Sequence, residues 1–306
     1  MPTYNTHTKA YLALAFICFF WGTTYLAVRI GVSDFPPFIF AGVRQTIAGL
    51  LLLAFIIFSR RDISIGKEDF IHQLIPGILM VAIGNGVVAW ASKYIPSGIT
   101  AIITSIMPVY VVLINLVNNR KNSLNAKIVS GLLLGIVGLL LIFKDHLVEI
   151  ARPEYFWGTV VTLLSAFAWA IGSVYIKNNP RTSHPFVNAS LQLFIGGIAM
   201  LGISVFVDDW NSVHSIPVNS IWAMIYLIAF GSIGAYICYL YAMKHLPVGL
   251  VSVHAYINPV VAVILGYLIL DEKITWMTVV AMLTILSGVY LMNRGYSATY
   301  ISKEKK

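Results

Sequence analysis

Charge is what this chain has least of. Only 10 % of its 306 positions are Asp, Glu, Lys or Arg, against about a quarter in an ordinary soluble domain. Twelve acids and twenty bases cannot clothe two soluble domains, and a 58 % hydrophobic content belongs to lipid rather than water. None of the twelve acids, from Asp34 to Glu304, falls inside an apolar run. That excludes the buried carboxylate relays of many proton-coupled pumps, and carboxylate ligation of a coupling sodium. Cysteine is nearly absent: Cys18 and Cys238 sit singly within apolar runs, without metal-ligand spacing, and read as packing residues. There is no HExxH, and near the midplane no paired carboxylate and no His/Cys cluster, so neither catalytic residues nor a metal site is expected. No GxxxxGK[ST] or GxGxxG follows a strand, and no lysine lies mid-run. Nucleotide cofactors and a retinal Schiff base are excluded with them, and no cofactor is expected.

What the chain has is long apolar runs, ten of them, at about 10–32, 38–58, 71–92, 97–117, 126–143, 156–177, 186–207, 219–242, 248–270 and 275–293. Most are long enough for a bilayer, which takes roughly 20 residues per helix. Turn chemistry and charge separate them, as at Ser33-Asp34-Phe35-Pro36-Pro37 and Asn118-Asn119-Arg120-Lys121-Asn122. An open-ended segment in hydrocarbon must satisfy its own backbone, so each run is read as a helix; the short alternating strands of a barrel are missing. The first run is too long for a cleavable signal. The loop bases orient the bundle. With both termini on one side, that side receives fourteen of the twenty Lys and Arg and the other receives five, counting those near run ends with the loops; Arg44 alone remains well inside a run. Both termini are therefore expected in the cytoplasm, in a multi-pass protein of the plasma (inner) membrane. The same scattering of bases at run ends argues against a nucleic-acid partner.

The chain also repeats itself. A shift of 148 residues places Trp21 on Trp169, Arg29 on Lys177, Pro37 on Pro185, Ala41 on Ala189 and Gly49 on Gly197. A shift of 151 places Lys93-Tyr94-Ile95-Pro96 on Lys244-His245-Leu246-Pro247, and Pro108 on Pro259. Each half holds five runs. Five is odd, so the second half enters the membrane from the opposite side. The expected fold is all-α: ten transmembrane helices forming two inverted-topology five-helix repeats, 10–143 and 156–293, with a basic cytoplasmic tail at 294–306. Inverted repeats suit alternating access, because exchanging the conformations of the halves turns an outward opening into an inward one.

The FWGTTYLAVR stretch of the first run, Pro37 and AGVR at 41–44 carry a family resemblance. So do Lys93-Tyr94-Ile95-Pro96-Ser97-Gly98, the prolines of the fourth and ninth runs, and Asp271-Glu272-Lys273-Ile274-Thr275 before a run containing Gly288. In this order, the chain resembles the EamA-type family of the drug/metabolite transporter superfamily over nearly its whole length. The resemblance implies ten helices, a central cavity between the halves, and export or exchange of small organic metabolites.

Seven residues are candidates for contact with a substrate. Arg44 lies about two turns into the second run, where insertion costs about 2.5–3.5 kcal/mol. It is either a fixed positive charge for a carboxylate or phosphate, or a structural arginine bound to free carbonyls; the equivalent residue of the second half is Gln192. His254, Tyr256 and Asn258 form the polar set of the ninth run, 254 and 258 lying on one helical face. Asn85, between two glycines, and the repeat-related Trp21 and Trp169 complete the group. Pro108 and Pro259 each remove a donor and free the carbonyl four residues earlier, marking expected hinges or helix breaks. The expected function is a transporter, not an enzyme, whose partners are a small-molecule substrate and the lipid bilayer. An amino-acid or metabolite exporter or facilitator leads. A drug or sugar/nucleotide-sugar permease, and a membrane-embedded enzyme, are the alternatives; a homodimer is left open.

Overall fold

The computed structural model describes residues 4–59, 67–95, 97–117, 125–142, 153–180, 183–213, 215–270 and 275–304. Pro96, the Asp271–Ile274 motif and the Asn118–Asn122 turn lie outside them. The first half comprises α1 (Tyr4–Val32), α2 (Pro37–Phe58), α3 (Lys67–Pro76), a π-helical segment (Gly77–Asn85), α4 (Gly86–Tyr94), α5 (Ser97–Thr104), α6 (Met107–Val117) and α7 (Ala126–Ile142). The second comprises α8 (Pro153–Asn178), α9 (Pro185–Val207), α10 (Val218–Tyr226), a second π-helical segment (Leu227–Gly234), α11 (Ala235–His245), α12 (Val248–Val251), α13 (His254–Leu270) and α14 (Trp276–Glu304). Among the described residues there is no strand, and nine helical stretches are long and apolar enough to cross a membrane. A shorter apolar helix, Ala126–Leu141, makes the tenth. The last helix continues past the tenth apolar run, through the start of the basic tail, to Glu304.

The halves meet through like elements. The second span packs on the seventh (α2 on α9), and the fifth on the tenth (α7 on α14). Glycine permits both crossings. A Cβ on Gly49 would lie 2.6 Å from the backbone nitrogen of Phe194, and one on Gly197 2.5 Å from that of Thr46. Gly131 and Gly288 oppose each other in the same way, a Cβ on either falling 2.5–2.6 Å from the other's carbonyl oxygen. Without a hydrophobic drive between helices in lipid, such backbone-to-backbone approach is what van der Waals attraction needs.

Helix ends in the bundle are closed by side chains, and the repeat reproduces the device. Arg29 Nη1 donates to the carbonyls of Ser92 (2.5 Å) and Ile95 (3.0 Å), at the end of α4. Lys177 Nζ donates to those of Met243 (2.8 Å) and Leu246 (2.7 Å), at the end of α11. The final carbonyls of a helix have no partner of their own and carry the negative end of its dipole, so a cation satisfies both needs. At the start of α2, Asp208 Oδ2 accepts from the Ile39 N–H (2.7 Å). Burial there pushes the Asp208 carboxyl up, against the opposing pull of the Ile39 and Phe38 amides and of Lys93.

Two features depart from expectation. The fourth span does break near its proline: α5 ends at Thr104, and Pro108 occupies the first turn of α6, where a missing N–H is tolerated. The ninth span breaks elsewhere, at Ser252–Val253, and Pro259 lies inside α13. The assignment of a break to Pro259 is therefore corrected. Its cost, a carbonyl left without a donor at Ala255, is answered by Ser105 Oγ from the fourth span at 2.7 Å, a hydroxyl whose single proton is shared with the Ala101 carbonyl at the same distance. The π-helical segments, at repeat-related places in the third and eighth spans, were not anticipated. In the second, the Ala235 N–H reaches the carbonyl of Phe230, five residues back, a wide register often found at functional sites.

The α2–α9 crossing can be tested with a matched pair of substitutions. Gly197→Leu forces a side chain into the backbone of Thr46 and should lower the unfolding midpoint of the purified protein, by about 1–3 kcal/mol of stability. Gly202→Leu, on the same helix with open space around its Cβ position, should leave the midpoint within error of the unsubstituted protein.

Candidate functional site

Six of the seven expected residues line one cavity. Trp21, Arg44, Asn85, Trp169, His254 and Asn258 come from α1, α2, the first π-helical segment, α8 and α13, and bound a cavity of about 100 Å³ between the halves. Tyr256 is not with them. Two residues along an α-helix is a rotation of about 200°, so 256 faces away from 254 and 258. Its ring packs over Gly135 of α7, and its hydroxyl lies 3.4 Å from the Leu132 carbonyl. Tyr256 is thus a helix-packing residue, contrary to its expected place in the site.

The aromatic wall is built with definite geometry. Trp21 meets Trp169 edge-on, centroids 5.4 Å apart at 89°, and His254 at 4.9 Å and 66°. Trp21 Nε1 donates to the carbonyl of Gly231 (3.0 Å), in the second π-helical segment. Trp169 occupies space left by Gly84, where a Cβ would fall 2.6 Å from its ring. His254 Nδ1 bonds the Val251 carbonyl at 2.8 Å, across the break in the ninth span. With the proton on Nδ1, Nε2 is left as an acceptor. Asn258, its amide oriented to satisfy both ends, donates to the carbonyls of His254 (2.8 Å) and Cys18 (3.2 Å), tying α13 to α1.

Arg44 is the electrostatic centre of the cavity. Its residue is 5 % exposed, its Nε has no hydrogen-bond partner, and among the described residues no Asp or Glu lines the cavity. Sequence reasoning missed Tyr25 and Thr104, which also line it and whose hydroxyls bond each other at 2.7 Å. Tyr25 follows Trp21 by one helical turn, a spacing that places both on one face; the signal was available.

A second cavity of about 120 Å³, with Gln73, Lys177 and Gln192 in its wall, shares no lining residue with the first. It lies where α8 ends and α9 begins, whereas the first extends toward the end of α1 and the start of α2. In a chain of alternating crossings these are opposite faces. Between the cavities stand Tyr236 and Tyr239, both buried. Tyr236 OH donates to Gln192 Oε1 (2.6 Å), and Gln192 Nε2 donates to Gln73 Oε1 (2.5 Å). Tyr239 OH and Ser173 Oγ are 2.6 Å apart, and both tyrosine rings meet Trp169 at near-perpendicular angles. Hydrogen bonds between α3, α8, α9 and α11 therefore close the floor of the first cavity.

The chain matches the EamA-like transporter family over residues 8–144 and 156–294. It is 30 % identical over 290 residues to the uncharacterized inner membrane transporter YedA of Escherichia coli (strain K12), covering 91 % of each chain. It is 24 % identical to the uncharacterized transporter YoaV of Bacillus subtilis (strain 168), over 92 % of this chain and 96 % of that one. A chloroplastic WAT1-related protein of Arabidopsis thaliana is 29 % identical, over 90 % of this chain and 67 % of its own. A solved crystal structure superposes with a TM-score of 0.76, covering 94 % and 98 % of the two chains at 18 % identity, and so shares the fold.

The Ser105–Ala255 bond joins the broken fourth span to the cavity-lining ninth. Ser105→Ala should leave the Ala255 carbonyl without a donor and cost about 1 kcal/mol, the scale of interhelical hydrogen bonds in membrane proteins. Ser105→Thr, which retains the hydroxyl, should recover most of the loss in the same unfolding measurement.

Proposed function

This chain belongs to the EamA-like transporter family, a multi-pass membrane transporter, and we propose that it moves small organic solutes by alternating access between its two five-helix halves. The leading reading is an amino-acid or related metabolite exporter or facilitator of the inner membrane. The observation that carries it is the closed floor: one cavity holds nearly all the candidate contacts, and the hydrogen-bonded layer of Gln73, Gln192, Tyr236 and Tyr239 separates it from a second cavity at the opposite face. That is what one end state of an alternating-access cycle requires. The excess of Lys and Arg on the terminal side supports cytoplasmic termini. With that orientation the Arg44 cavity faces outward and the closed layer faces the cytoplasm.

The cycle follows from the repeat. Opening the inner path requires breaking the Gln73–Gln192–Tyr236 bonds, while the first-half counterparts near Arg44 and Asn85 close over the outer path. Among the described residues no carboxylate lines the cavity, which favours movement of solute down its own gradient. His254 is the one titratable imidazole in its wall.

Uptake into liposomes from a mixed pool of amino acids, nucleosides, sugars and organic cations tests the reading. Saturable entry of a subset is expected with no ion gradient imposed. Entry that appears only once a proton gradient is added, and that His254→Ala leaves coupled, would sink the uncoupled mechanism. No saturable entry under either condition would sink transport of these solute classes altogether.

A further inference from the structure

The repeat sets up a comparison that bears on which solute the cavity takes. In two repeat-related pairs, one member is satisfied by the protein and the other is not. Trp21 Nε1 donates to Gly231; its counterpart Trp169 lies beside the Tyr239 hydroxyl but makes no hydrogen bond of acceptable geometry through Nε1. Gln192 is held at both ends of its amide, by Gln73 and Tyr236. Its counterpart Arg44 is buried with Nε unpartnered. The two unsatisfied members, both hydrogen-bond donors, line the same cavity.

A guanidinium that faced this cavity for structural reasons would be bound to carbonyls or to an acid. The carbonyl freed by Pro259 is taken by Ser105 instead, and among the described residues no carboxylate lies in the lining. Removing one partner from a buried charge is costly, and a charge left without one is a standing demand for an anion. Arginine presents a planar fork of donors that matches a carboxylate in a bidentate fashion. Trp21 and Trp169 offer flat apolar surface and edge-on rings. The hydroxyls of Thr24, Tyr25, Thr104 and Ser165 and the amide of Asn258 in the same wall are already bonded within the protein, which leaves few of the polar partners a sugar would require.

We propose that the cavity selects organic monocarboxylates with a planar apolar body, the carboxylate pairing with Arg44 and the body lying against Trp21 and Trp169. The inference rests on the transport reading and narrows its substrate class. An ammonium group is not required by this site: no acid is there to pair with it, so the carboxylate carries recognition whether or not an amine accompanies it.

The test is equilibrium binding to the purified full-length protein in lipid nanodiscs, with three probes of one shape: 3-phenylpropionate, 3-phenylpropionamide and 2-phenylethylamine. The carboxylate is expected to bind at least tenfold more tightly than the amide, and the amine not to compete with it. Arg44→Gln should bring carboxylate and amide within about twofold of each other. Arg44→Lys, which keeps the charge, should retain a preference for the carboxylate and serves if the glutamine variant fails to fold. An amide that equals or outbinds the carboxylate in the unsubstituted protein, or a tenfold preference that survives Arg44→Gln, overturns the assignment. Flux separates the two readings. A carboxylate that binds through Arg44 yet never crosses the liposome membrane leaves the site standing and removes transport. Saturable entry of neutral solutes without carboxylate binding leaves transport standing and removes the site.

Discussion

Hydrocarbon supplies no hydrogen bonds, and the rest of this structure depends on that constraint. Where a helix ends or breaks inside the bundle, a side chain of the same or another span answers the exposed carbonyls. Arg29 and Lys177 answer for the ends of α4 and α11. Ser105 answers for the carbonyl that Pro259 leaves open, and Asn258 and His254 bind carbonyls around the break in the ninth span. Most of these bonds join residues far apart in sequence. The irregular backbone that shapes the cavity therefore also fixes which spans are tied together.

The internal repeat is most faithful where it is structural and least faithful where it is chemical. Glycines at the α2–α9 crossing, the cation caps and the π-helical segments recur in both halves. At the cavity the halves diverge: arginine faces glutamine, and a free indole N–H faces a bonded one. Symmetric framework and asymmetric lining serve different ends. Under the proposed alternating-access cycle, framework symmetry would let the halves exchange conformations, while asymmetry of the lining would give a solute one preferred orientation.

Much of this was legible in the sequence. Hydrophobic runs, breaks and repeat offsets marked the ten spans, most of them to within a few residues, although the first helix starts six residues earlier and the last runs eleven residues further. Buried polar residues near the middle of runs pointed to six of the cavity's lining residues. What escaped notice has physical causes. The π-helical segments carry no compositional mark, since an i→i+5 register is a small adjustment that packing imposes on apolar sequence. Proline in the ninth run advertised a missing donor but not whether a neighbour would replace it; Ser105, 154 positions before that proline in the chain, decided the matter. The barrier residues Gln73, Ser173 and Tyr236 become meaningful only once four helices are brought together. Tyr256 is different, because helical geometry alone forbids residues 254, 256 and 258 from sharing a face.

The unpaired guanidinium has an electrical consequence. Under the proposed alternating-access cycle, a closed barrier beside an open cavity would concentrate the membrane field across the barrier, so the empty carrier would hold a net positive charge on one side of that field and shift it when the barrier changes sides. Moving an elementary charge through the whole potential is worth about 2.3 kcal/mol per 100 mV. A bound monocarboxylate would cancel the charge, making the loaded step nearly blind to voltage. The membrane potential would then govern the return of the empty protein, and with it which face of the membrane the vacant cavity prefers.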